Sequence, residues 1–418
     1  MLSERWLRAQ PEQARTALRR RHADETTLAA FEAWLALDAE RRATATRCDT
    51  LASEVKRLGA AHDQRQTKAR DSLRAMRRAL GDLSDRMRTL ALTLPNAPDA
   101  RTPDGADASA NRVVRVWGAP PSFDFAPQPH HALGARLGIL DLPRATRLAG
   151  PRFPLLLGDG ARLARALAAF MLDAHRDEGY VEVAPPDLLL ATTLTGSGHL
   201  PRHAGELFAL PDDGLYLSPT AEAQLVALHA GEALDADRLP LAYTAYTQAF
   251  RREAGSAGAR THGLLRQRQF GKVELVRVVT PETADDALAS LVASAEALLR
   301  RLGLPYRVVE LCAGELPFSA SRTFDLDVWL AGEGRYIEIS SVSDCGAFQA
   351  RRLQLRYRPQ PGARTVAYPH TLNGSALPIG RTLAALLEHG QRADGSVALP
   401  AALLDYGAPS ELAPTNVR

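Results

Sequence analysis

Leu73, Met76, Leu80, Leu83, Met87, Leu90 and Leu94 recur at spacings that alternate between 3 and 4 residues. That rhythm puts every one of them on a single helical face and makes a coiled-coil seam. Upstream, Trp34, Leu37, Cys48, Leu51, Val55 and Leu58 lie on a similar seam, interrupted by Arg41 and Thr44. Two seams facing each other across GAAHDQ, Gly59 to Gln64, predict an antiparallel helical hairpin over residues 24–94. A helix of about 25 residues extends roughly 40 Å, so such a hairpin can reach well beyond a globular body. A coiled-coil dimerisation element carries the same signature.

The charge on this segment separates the two readings. Between Arg41 and Leu90 there are 13 Lys and Arg against 6 Asp and Glu, a local balance of +7 in a chain whose formal net charge is +3. Arg65, Lys68, Arg70, Arg74, Arg77, Arg78, Arg86 and Arg88 crowd the outside of the seam without alternating with acids. A solvated coiled-coil face would mix both signs; a concentrated positive field is suited to a polyanion such as a nucleic-acid backbone.

After Leu94 comes PNAPDARTPDGADASANR, rich in Pro, Asp, Ala and Gly and without periodicity, which predicts a linker over 95–112 between a helical domain at 1–94 and a second domain at 113–418. In the second part helical stretches such as Gly160 to His175 alternate with the short runs YVEVAPP, VELVRVV, YRVVEL, FDLDVWL and RYIEISS. The fold class is α+β, with a mainly antiparallel sheet flanked by helices. Neither a G-x-G-x-x-G after a strand nor a G-x-x-x-x-G-K-[ST] occurs, so a nucleotide must be held by other means. Cys48, Cys312 and Cys345 are far apart, and neither a disulfide framework nor a zinc site is expected. No apolar run is long enough to span a bilayer, and the charged start MLSERWLRAQ is unlike a signal peptide, so the expected location is cytoplasmic and free of membranes.

Two strings carry the chemistry: FRREAGSAGARTHGLLRQRQFGKVEL from Phe250, and NGSALPIGRTLAALLE from Asn373, about 100 residues later. The first resembles the strand-loop-strand signature of class II aminoacyl-tRNA synthetases and the second their strand-helix signature, both in the wording of seryl-tRNA synthetases. The resemblance covers essentially the whole chain. It implies a class II catalytic domain carrying an N-terminal arm for tRNA(Ser), with Arg65, Lys68, Arg70, Arg74, Arg77 and Arg78 as the arm's contacts. It further implies a homodimer, with LARALAAFMLDAHRDEGYVEVAPP supplying the first motif and Pro185 or Pro186 closing it.

By the same resemblance Arg251 and Arg381 are the catalytic residues. Arg251 matches the arginine that bridges the α-phosphate and the amino-acid carboxylate, a bidentate task suited to a planar fork. Arg252 and Glu253 complete that end of the ATP site; Glu253, two residues along the same strand and so on the same face, matches the glutamate beside adenine. Phe270 matches the aromatic under the base, and Arg381 the arginine above it. Glu338, Ile339, Ser340 and Ser341 match the remaining ATP positions, with Glu338 and Ser341 as Mg²⁺ ligands. Thr220, Ala221, Glu222, Arg251, Glu274, Asn373 and Ser375 match the serine site, with Glu274 as the central acceptor. Thr220 and Asn373 taken alone also suit a cap or a turn.

The implied reaction joins ATP and L-serine to seryl-adenylate, then moves the seryl group to tRNA(Ser). The chain departs from the family at Arg268, where histidine is usual, and at Val342, Asp344, Cys345, Gly346 and Ala347, expected to flank the nucleotide pocket. These departures raise an alternative, a specialised duplicate serving antibiotic self-resistance or supplying Ser-tRNA to a biosynthetic pathway. A dead tRNA-binding paralogue would have lost the ATP arginines, and a ligase that charges a carrier protein would lack the basic hairpin.

Overall fold

The computed structural model describes residues 1–58, 64–254, 263–360 and 363–414 and divides into two units, Met1–Ala97 and Pro98–Arg418. In the first unit, short helices α1 (Glu4–Ala9) and α2 (Pro11–Arg20) precede two long ones, α3 (Glu25–Arg57) and α4 (Gln64–Thr93). Asp24 caps α3, its side chain accepting the Thr27 N–H at 2.8 Å. Residues 59–63 of the expected turn lie outside the described residues.

The seams pack against each other: Trp34, Leu37, Thr44 and Cys48 of α3 and Leu73, Leu83 and Met87 of α4 are buried, while Met76, Leu80 and Leu90 are half-buried. The interruption at Arg41 has a physical reason. Asp38, 2% exposed, accepts the Arg8 guanidinium through both oxygens at 2.7 and 2.8 Å, with Arg42 Nε at 3.0 Å. The seam gives way there to a polar anchor for α1. Arg65, Lys68, Arg70, Arg74, Arg77 and Arg78 are all exposed on α4.

The second unit is built on a sheet of eight strands among the described residues: β1 (Arg112–Trp117), β2 (Val181–Glu182), β3 (Leu241–Phe250), β4 (Gln269–Val279), β5 (Tyr306–Glu310), β6 (Arg322–Leu330), β7 (Arg335–Asp344) and β8 (His370–Pro378). Their order is β1-β5-β6-β7-β8-β4-β3-β2. Every pairing in it is antiparallel except β2 with β3. Around it lie α5 (His130–Arg136), α6 (Asp159–Asp177), α7 (Ala221–Ala227), α8 (Ala284–Arg301), α9 (Phe348–Leu353) and α10 (Ile379–His389), with further helices at Leu142–Ala149 and Ala191–Ser197 and several 3-10 turns.

Side-chain alternation along the strands gives the sheet two different faces. Val273 and Leu275 of β4 join one apolar core with Leu167 and Phe170 of α6, Leu291 of α8 and Leu383 of α10. Lys272 and Glu274, one residue out of phase, point to the opposite face and line a cavity. Farther along that face Val276 and Val278 pack under Leu225 of α7 and Ala350 of α9, closing the cavity's end.

Residues 98–111, expected as linker, are held to this unit by specific bonds. Thr102 is buried and its hydroxyl donates to Ser321 O at 3.0 Å, and Asn111 Oδ1 accepts Cys312 N–H at 2.9 Å. Arg101 forms a two-pronged bond to Asp285, both contacts at 2.8 Å.

Candidate active site

The cavity on the polar face measures about 620 Å³ and is lined by Glu222, Arg251, Glu253, Phe270, Glu274, Glu338, Ile339, Ser341, Asn373, Ser375 and Arg381. Residues up to 159 positions apart in sequence thus converge on one space. Four expected residues do not line it, among them Thr220, which is buried and bonded to Glu274. Arg252 turns away, its Nε donating to Leu207 O at 2.7 Å and its guanidinium lying 5.1 Å over the Phe208 ring. Ala221 is buried in the α7 core, and the Ser340 hydroxyl donates to Ser375 O between strands.

Arg251 follows the last residue of β3. Its Nε donates to Pro219 O at 3.2 Å, and the guanidinium lies 5.3 Å over the Phe270 ring. This contact leaves the outer edge of the fork facing the cavity. The expectation that Glu253 shares Arg251's face by strand alternation fails, because β3 ends at Phe250 and Glu253 has φ +53. A left-handed residue outside the strand, rather than pleat, brings Glu253 to the cavity, where it pairs with Arg266. Residues 255–262 of the same motif lie outside the described residues.

Arg381 opens α10. Its Nε donates to Leu265 O at 3.1 Å and Nη1 to Glu338 O at 2.6 Å, with the Glu338 carboxylate at 3.3 Å. Gly380 allows this closeness, since a Cβ there would lie 2.9 Å from the Gln267 side chain. Leu264 is anchored in turn: its N–H donates to His130 Nε2 at 3.1 Å, while His130 Nδ1 bonds Glu388 of α10 at 2.7 Å. His130 also lies near His131 and Glu333 in a spacing a metal could use. Both its ring nitrogens are already engaged, and a ligand role would sacrifice one of these bonds.

Glu338 and Ser341 are three residues apart, a separation that a regular strand would send to opposite faces. The register between β6 and β7 explains why both line the cavity: Asp327 pairs with Glu338 and Leu326 with Ser340, leaving Ile339 as an unpaired bulge residue. Asp325 pairs with Ser341 across the same strands and so shares its face. The sequence reading missed Asp325, for which the cross-strand register was the needed signal. Its Oδ1 is buried with no hydrogen-bond partner among the described residues, and burial together with Glu338 pushes its carboxyl well above the usual range.

At the other end, Thr220 caps α7 by accepting Glu222 N–H at 3.2 Å and donates its hydroxyl to Glu274 at 3.2 Å. The cap and the bond to Glu274 therefore coexist in one side chain. Lys272, also missed although it lies two residues before Glu274 in the KVE string, donates to Thr220 Oγ1 at 2.8 Å and pairs with Glu274. Glu222 accepts Gln349 Nε2 at 2.7 Å. Burial and the neighbouring Glu274 push the Glu222 carboxyl up to about 7.

A family model described as the tRNA synthetase class II core domain (G, H, P, S and T) matches residues 208–390. The serine–tRNA ligase of Desulfosudis oleivorans is 44% identical over 418 residues, covering 97% of this chain and 98% of the relative. That of Acidithiobacillus ferrooxidans is 46% identical over 420 residues, covering 97% and 98%. The chain belongs to the serine–tRNA ligases. Among solved structures, the seryl-tRNA synthetase from Pyrococcus horikoshii complexed with ATP superposes with a TM-score of 0.95 at 30% identity, covering 100% of both chains.

Within this serine–tRNA ligase the departures from the usual wording lie differently from expectation. Val342 is in the apolar core, Asp344 accepts Gly346 N–H at 2.6 Å, and Gly346 takes φ +51 ahead of α9. Of the segment's departures only Cys345 lines the cavity, its Sγ 3.8 Å from Asn373 Oδ1. It therefore adjoins the predicted serine side and not the nucleotide side. Arg268 is outside the cavity lining and donates to Arg252 O at 3.1 Å.

Proposed function

We propose that this chain couples L-serine to ATP, forming seryl-adenylate and pyrophosphate, and then transfers the seryl group to the terminal ribose hydroxyl of tRNA(Ser). The observation that carries this reading is the division of one cavity into two differently charged ends. Arg381 beside Glu338 and Arg251 over Phe270 supply fixed positive charge, while buried Glu274, with Thr220 bonded to it, and half-buried Glu222 supply acceptors at the opposite end. Two anions, the serine carboxylate and the ATP α-phosphate, must approach each other, so the central requirement is electrostatic stabilisation with positioning. Arg251 lies between the two ends and is suited to hold both anions. Phe270 offers adenine its ring, with Arg381 opposite.

Glu338, Ser341 and Asp325 offer hard oxygen ligands on one face, and the partnerless buried Oδ1 of Asp325 favours a cation there. Mg²⁺ held by these residues would neutralise phosphate charge. The buried acceptors also set specificity for serine, because an amino acid without the hydroxyl leaves them unpaired.

The exposed basic face of α4 supports the reading of residues 1–94 as a tRNA-holding arm, with 113–418 as the catalytic domain. A homodimer built on α6, β2 and Pro185 is supported by the exposed Val181 on that edge strand. No helix among the described residues is long and apolar enough to cross a membrane, and the substrates place the enzyme in the cytoplasm. No observation favours a specialised duplicate. Pyrophosphate exchange screened over the standard amino acids tests the assignment, with serine alone expected to support exchange; exchange with another amino acid and none with serine would overturn it.

A further inference from the structure

Lys272 and Glu274 are two residues apart on β4 and project into the amino-acid end of the cavity. Their side chains are 8% and 1% exposed and form an ion pair, and the same ammonium donates to Thr220 Oγ1 at 2.8 Å. Glu222 enters from α7, where its carboxylate accepts a neutral hydrogen bond from Gln349 of α9. Among the described residues no cation is ion-paired with Glu222. The cavity end therefore carries two carboxylates, Glu274 buried and Glu222 half-buried, and one ammonium already committed to Glu274. An incoming amino-acid ammonium completes the pairing.

We propose that Lys272 is a positioning residue of the amino-acid subsite: by neutralising Glu274 it reserves Glu222 as the carboxylate that receives the substrate ammonium. Glu274 and Thr220 are thereby kept in the arrangement that meets the serine hydroxyl. The inference rests on the serine reading above and adds a division of labour within it.

The groups facing Glu222 are Glu274 and Lys272 from β4, Arg251 after β3, the Cys345 thiol between β7 and α9, and Gln349 from α9. His199, near Arg251 and Lys272, is pushed down to about 3 by burial and stays neutral. Burial and Glu274 raise the Glu222 carboxyl to about 7, and Lys272, Gln349 and Arg251 oppose them. A protonated Glu222 cannot pair with an ammonium, so serine binding weakens as pH falls through neutrality. Losing Lys272 exposes Glu222 to the full charge of Glu274 and raises that pH; neutralising Glu274 lowers it.

The test follows the KM for serine in pyrophosphate exchange, and serine binding by calorimetry, across a pH series spanning neutrality. Wild type, K272M, E274Q, K272M/E274Q and K272R are compared. Relative to wild type, the midpoint should move to higher pH in K272M by about one unit and to lower pH in E274Q, with the double variant between them. The KM for ATP should stay within about twofold, and K272R should restore the wild-type midpoint. A purely structural lysine would change melting temperature without moving the midpoint. Coincident midpoints for wild type and K272M, or an E274Q midpoint that moves to higher pH, would overturn the proposal. If K272M fails to fold, E274Q and the charge-neutral double variant decide it. Absence of any serine-dependent exchange by wild type would instead overturn the serine reading itself.

Discussion

In the proposed reaction Arg251 carries the heaviest electrostatic demand in the cavity, because two anions would converge on it. Its position is over-determined by the Pro219 carbonyl at 3.2 Å and the Phe270 ring at 5.3 Å. Arg251→Ala keeps the cavity but removes a charge that acts where new charge develops, a contact worth about 3 to 4 kcal/mol. Adenylate formation should fall at least several-hundred-fold in single-turnover exchange, with the melting temperature little changed. Activity within tenfold of wild type would remove Arg251 from the chemistry. Cys345 teaches a different lesson at this scale. Its place among unusual residues suggested the nucleotide wall, but a strand end and a left-handed glycine turn its thiol toward Asn373.

Elements differ in how plainly the sequence declares them. The helical hairpin was legible because its seams repeat over many turns, and the strands β4, β6 and β7 because their β-branched and apolar runs stand out. β3, LAYTAYTQAF, was passed over, since its alanines and threonines have no strong alternation and it is identified as a strand by pairing with β4 along its full length. Asp38 was also passed over, although it explains the break in the first seam. Its carboxyl is held below its ordinary range first by the Arg8 hydrogen bonds and then, against burial, by Arg8 and Arg42 charge. A depressed carboxyl contributes stability that is complete above the unfolded value near 4 and disappears as pH falls through the folded one. Asp38→Ala should therefore lower the stability of the first unit at pH 7 by on the order of 2 kcal/mol, discounted because Arg8 and Arg42 are partly exposed. Thermal melts should show wild type and variant converging in acid. A gap that persists unchanged below pH about 3 would rule out the ion pair as its source.

At the scale of the whole molecule, the proposed tasks of recognition and activation fall on different parts of the chain. The basic excess lies on α4, and every cavity residue lies beyond Pro98. Deleting Ala43 to Thr89 and bridging the gap with a short linker should spare serine-dependent pyrophosphate exchange and cripple transfer to tRNA. Transfer by the intact chain should also weaken steeply with salt, as phosphate contacts release counterions, while exchange changes little. Undiminished transfer after the deletion would refute the arm. The basic hairpin and the separate motif-bearing unit were readable from charge and motif position alone; the way the polar face of the cavity is assembled was not, because it depends on register. At Ile339 the strand inserts one residue into a two-beat pattern and reverses its parity. A strand with the same residues in the same order but without the bulge would retain every matched side chain and would still satisfy a search for residue identities. It would nevertheless turn either Glu338 or Ser341 into the apolar core, so in this chain the register of a strand decides what its letters can do.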